Sequence, residues 1–81
     1  MATPTQHRAA VTTYLARVAN TGLTEPLSTE RERAEIHAIL STKAGTGDEY
    51  TTADQLLSDA GDNRLKLHTA KVHAHLATPA A

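Results

Sequence analysis

The chain of 81 residues carries eight Lys and Arg against nine Asp and Glu, a formal net charge of −1, two tyrosines and no Phe, Trp or cysteine. That length holds one domain, expected as 1–81 with frayed ends at 1–3 and 77–81, near the size at which a single core only just suffices. The missing cysteine excludes disulfides, thiolate zinc sites and cysteine nucleophiles, and the near-zero net charge excludes a strongly polyionic chain.

Thr3-Pro4 marks the entry of a first helix, because proline's fixed φ and absent N–H are harmless at the first helical position. Val11, Tyr14, Leu15 and Val18 follow the i, i+3, i+4, i+7 pattern, and Asn20-Thr21-Gly22 supplies a stop, so the helix is expected over 4–20. Leu23 to Leu27 reads as a connector, since Pro26 disfavours helix at the residue before it, with Leu23 and Leu27 pinning it to the core. Ser28 or Thr29 is expected to cap a second helix over 29–43, Thr29 and Glu32 having the spacing of a capping box. Its buried side is Ile36, Ile39 and Leu40 with Ala34 and Ala44 at the edges, and its solvated side is Glu30, Arg31, Arg33 and Glu35.

Lys43 to Tyr50, with Gly45-Thr46-Gly47, reads as the longest loop. A third helix is expected over 52–60, capped by Thr51 or Thr52 and apolar at Ala53, Leu56, Leu57 and Ala60, with Gly61 as the hinge into a fourth helix. Asp62 or Asn63 caps that helix, expected over 64–76. The result is an all-α fold, a small four-helix domain, orthogonal or bundle-like, with a helix-turn-helix-like C-terminal half. Leu, Ile and Val total fourteen and much of the 40 % hydrophobic content is alanine, which gives a thin core that self-association would enlarge.

Charge is unevenly placed: residues 1–63 hold five Lys and Arg against nine acids, whereas 64–81 hold Arg64, Lys66 and Lys71 and no acid. On a helix Arg64, His68, Lys71 and His75 form one ridge, flanked by Leu65, Val72 and Leu76 on one side and by Leu67, Ala70 and Ala74 on the other. The larger row is expected to pack on the body of the domain, leaving Leu67, Ala70 and Ala74 for a second surface, which small residues let approach closely. The partner-binding set is therefore Arg64, Leu67, His68, Ala70, Lys71, Ala74 and His75.

His7, His37, His68, His73 and His75 read as surface imidazoles, since none has the i, i+4 spacing that chelates one ion; no metal or other cofactor is expected. Asp59, Asp62 and Asn63 around Gly61 lack the spacing of a calcium loop and read as turn and cap chemistry. Ser28, Ser41 and Ser58 lack a nucleophile elbow and no paired carboxylates stand out, so no enzymatic activity and no small-molecule substrate are expected.

The order Ile36/Ile39/Leu40, Thr52-Ala53-x-x-Leu56, Val72-x-x-x-Leu76 resembles the helical core of helix-turn-helix and winged-helix regulators over about residues 33–76. The resemblance implies a last helix in the DNA major groove, with Arg64, Lys66, His68, Lys71 or His75 toward phosphates and base edges. The leading expectation is instead a non-enzymatic interaction or regulatory module, self-associating, that offers its C-terminal basic helix to a protein partner. No run is long enough to span a bilayer, and the first residues lack an apolar signal core, so the cytoplasm is the expected location.

Overall fold

The computed structural model describes residues 1–21 and 27–80, with side chains over 1–19 and 29–80. Four helices follow in order: α1 Pro4–Thr21, α2 Leu27–Ser41, α3 Asp48–Asp59 and α4 Arg64–Leu76. The all-α four-helix expectation holds. The readings placed on Gly22, Leu23, Pro26, Leu27 and Ser28 lie outside what is described.

α1 starts at Pro4 through a reciprocal cap. Thr3 N–H donates to Gln6 Oε1 at 2.8 Å, and Gln6 N–H donates to Thr3 Oγ1 at 3.2 Å, which satisfies two of the donors a helix start leaves open. α2 starts at Leu27, two residues before its expected first residue, so Thr29 lies inside the helix and is buried. α3 starts four residues before its expected first residue. Gly47, at φ 96°, makes the turn that an L side chain resists, and Asp48 and Glu49 then place negative charge at the positive end of the helix dipole. Tyr50 therefore belongs to α3's first turn and is fully buried. Gly61, at φ 51°, turns the chain between α3 and α4, and Asn63 caps α4 by accepting from Lys66 N–H at 3.1 Å.

The apolar cluster is built from α2, α3, α4 and the residue after α4: Ile36 and Leu40, Tyr50, Ala53 and Leu57, Ala60, then Leu67, Ala70, Ala74 and Ala77, with Ile39 and Leu56 against its rim. α3 and α4 pack closely because both present alanine between larger side chains, which lets the helices approach while Leu57 and Leu67 fill the remaining space. Arg33 of α2, expected in solvent, donates to the carbonyls of Leu57 and Gly61 and so ties off α3's C-terminal end.

Among the described residues both ends make hydrogen bonds to the body of the domain. Ala2 N–H donates to Asp54 Oδ2 at 3.2 Å and Tyr50 O–H donates to Ala2 O at 2.8 Å. At the other end Ala77 is buried, Ala44 N–H donates to Thr78 O at 2.9 Å and Ala80 N–H donates to Thr42 O at 3.1 Å, closing an antiparallel bridge between Lys43 and Pro79. The tail thus finishes the loop after α2 by supplying its backbone partners.

Candidate functional site

α4 presents two apolar rows, and the structure orients them opposite to the expectation. Leu67, Ala70 and Ala74 are each 0 % exposed and form part of the core, so they are unavailable to a partner in this fold. Leu65, Val72 and Leu76 are 75 %, 58 % and 63 % exposed. The physical reason is volume: α2 and α3 already bring Ile36, Leu40, Tyr50 and Leu57 to the centre, and the space left beside them takes one leucine and three alanines, not three large aliphatics. At 100° per residue the row Leu65, Thr69, Val72, Leu76 points almost directly away from the buried row. It is a stripe of three large aliphatics and one threonine on the outermost side of the helix.

Basic side chains on both flanks of the stripe are matched within the chain. His68 Nδ1 lies 2.9 Å from Glu32 Oε1, Lys71 Nζ 3.2 Å from Glu35 Oε2, and His73 Nδ1 2.5 Å from Glu49 Oε2. Lys43 Nζ donates to the carbonyl of His75 at 3.4 Å, at the negative end of the α4 dipole. Arg64, His68 and His75 remain exposed on the flank of the stripe, and Lys71 is partly covered. Of the seven residues expected to meet a partner, four lie where one can reach them and three are core.

A second assembly was not foreseen. His7 is 1 % exposed and His37 is half-buried, so two of the five histidines are not surface imidazoles. His7 Nε2 lies 2.8 Å from Asp54 Oδ1, and its Nδ1 lies 2.7 Å from Nδ1 of His37. The Asp54 carboxylate favours the His7 tautomer with its proton on Nε2, so His7 Nδ1 accepts from His37 Nδ1–H. The contacts of Asp54 with His7 and of Glu32 with His68 are ion pairs by distance whose N–H vectors point off the oxygen, weaker than aligned bonds.

Tyr14 stacks on His37 with ring centres 5.4 Å apart and planes 14° from parallel; Arg17 and Arg33 lie over the Tyr14 ring at 4.8 and 5.7 Å. Tyr50 meets His7 edge-on. Among the described residues no member of the apolar cluster comes from α1, and these polar and aromatic contacts join α1 to α2 and α3. The signal was present in the sequence: His7 continues the row Val11, Tyr14, Val18 one turn toward the N-terminus, and Asp54 sits among Tyr50, Ala53 and Leu57 on the inner face of α3.

Burial holds the His7 imidazole below its ordinary range, the nearby Asp54 carboxylate opposing that shift. His37 is lowered to about 4, by burial first, then by the positive fields of His7 and Arg33, against Asp54. Tyr50 is raised to about 12 by burial and by Asp54. Chemically the cluster is closed on itself. Asp54 serves His7 and Ala2, and the two imidazoles face each other in place of a shared point, so the three do not converge as metal ligands. Among the described residues no group of three or more His, Cys, Asp or Glu is placed to hold a metal ion. An open depression of about 420 Å³ beside Met1, Ala2, Thr51, Asp54, Gln55 and Ser58 reaches this carboxylate from outside. There Ser58 Oγ donates to the Asp54 carbonyl, which leaves the serine unactivated by any base.

No helix of the described residues is long and apolar enough to cross a membrane. Comparisons with protein-family models, with curated proteins and with solved structures found no match to this chain.

Proposed function

We propose that this protein is a non-enzymatic interaction or regulatory module of the cytoplasm that works by offering the outer face of α4 to a protein partner, self-association included. The observation that carries this reading is the stripe of Leu65, Val72 and Leu76, three large aliphatics more than half exposed in one row on a helix whose other side is locked in the core. An amphipathic helix that is apolar on both sides normally covers the second one. Arg64, His68 and His75 border the stripe and set its orientation toward a partner, as rim charges do.

The pairing of His68, Lys71 and His73 with Glu32, Glu35 and Glu49 weighs toward protein and away from nucleic acid, because phosphate contact draws on unmatched positive charge. The outer row of α4, three aliphatics and Thr69, also lacks the Arg, Asn or Gln side chains that read base edges bidentately.

Light scattering tests both readings together, on the unmodified protein and on Leu65→Glu/Val72→Glu, with and without generic duplex DNA at low and moderate salt. The expected result is association that grows with protein concentration, ignores DNA and is lost in the double variant while helicity is kept. A DNA complex that dissolves as salt rises, or association unchanged in the variant, overturns the proposal.

A further inference from the structure

The outer row of α4 has a spacing that restricts what covers it. Leu65, Thr69, Val72 and Leu76 are separated by four, three and four residues, an interval series identical when read from either end. We propose that the occupant of this face is a second copy of the chain, packed α4 against α4 in antiparallel orientation about a two-fold axis. This rests on the reading of α4 as an interaction surface and names its partner.

In that arrangement Leu65 meets the second copy's Leu76, and Thr69 meets its Val72, so the three aliphatics of each copy are covered by the same set from the other. The alternation of three- and four-residue steps is that of helix pairs crossing at a shallow angle. The stripe faces away from α2 and α3, so no other element of the described chain stands between the two helices.

Charge supports a copy over an acidic helix as the occupant. α4 has no acid of its own, yet its borders carry both signs, because Glu32, Glu35 and Glu49 reach it from α2 and α3. An acidic partner would meet those carboxylates. In an antiparallel two-fold pair each flank faces the same flank of the other copy. On one flank the exposed Lys66 then comes level with the second copy's His73 and the half-exposed Glu49 attached to it. On the other, His68, with Glu32 beside it, comes within about one helical turn of the second copy's His75. An interface of one helix per copy is small, and the dimer dissociates on dilution.

The chain has no cysteine, so single-thiol variants of the full protein report register directly. Leu65→Cys and Leu76→Cys replace exposed side chains and leave the core intact. One is labelled with ¹⁵N, the two are mixed under mild oxidation, and the disulfide dimers are weighed by mass spectrometry. Antiparallel packing predicts that the mixed Leu65→Cys/Leu76→Cys dimer exceeds either same-variant dimer about tenfold or more, since paired thiols share a high effective concentration. Two Leu65→Cys positions would lie about 16 Å apart along the axis, beyond the reach of a disulfide.

Same-variant dimers in excess overturn the antiparallel copy but leave the α4 surface standing. Formation in the random 1:2:1 ratio, with an unmodified protein that sediments as a monomer, overturns the second copy as partner. A dimer that persists in Leu65→Glu/Val72→Glu overturns both this proposal and the surface on which it rests.

Discussion

Ala70→Glu unfolds the domain. Ala70 is 0 % exposed in the apolar cluster of α2, α3 and α4, where a carboxylate would replace a methyl group among apolar side chains. A charge buried without a partner costs more than about 4 kcal/mol, against a total of roughly 4–12 kcal/mol for a chain of this length. The far-ultraviolet dichroism of Ala70→Glu should therefore be that of a largely unfolded chain at 25 °C. Val72→Glu, only two residues on, should keep its helical signal and, at dilutions where the unmodified protein is monomeric, its melting temperature, because it changes an exposed position and costs within about 0.5 kcal/mol. From the sequence alone the opposite was expected, with Ala70 on the free face. A folded Ala70→Glu beside an unfolded Val72→Glu would restore that orientation.

The second large effect is on pH dependence. His37 titrates near 4 in the fold, against an ordinary value of 6.5, so between these pH values the unfolded chain binds a proton that the folded one does not. Stability is therefore full above about pH 6.5 and falls as the pH drops through 4, by up to about 3 kcal/mol from this group. His7, lowered in the same direction, adds to the slope. His37→Phe keeps a ring against Tyr14 but removes the donor to His7 Nδ1. It should cost about 1–3 kcal/mol at pH 7.5, the penalty of a buried acceptor left open, and should flatten the slope between pH 6.5 and 4. Urea midpoints at four pH values measure both quantities; a variant that keeps the full slope shows that the titrating group lies elsewhere.

Local signals carried much of the fold into the sequence. The cap at Asn63, the turn at Gly61 and the entry at Thr3-Pro4 are chemistry of adjacent residues, and the bounds of α4 and the start of α1 follow from them. α3 was placed late because Thr51 and Thr52 are good capping residues, whereas Gly47 with Asp48 and Glu49 wins by backbone freedom and dipole charge. Periodicity found both apolar rows of α4 but does not rank them. Which row turns inward depends on the volume that Tyr50, Leu57, Ile36 and Leu40 leave, a property of three other surfaces.

The pairing of residues 77–80 with the loop after α2 is made by backbone groups and has no side-chain signature to read. The His7, His37 and Asp54 cluster joins residues from three helices, and only His7's place in the row of α1 announces it. Consequently the sequence shows that α4 carries two apolar rows, but not that Leu67, Ala70 and Ala74 form the buried one.

The most direct test of that face is methyl-resolved nuclear magnetic resonance on Leu- and Val-labelled protein across a dilution series. If α4 meets its partner through the outer stripe, the methyl signals of Leu65, Val72 and Leu76 shift with concentration while those of Leu40, Leu57 and Leu67 stay fixed. Shifts confined to other side chains, or none over the whole range with a protein that remains monomeric, would contradict self-association through α4.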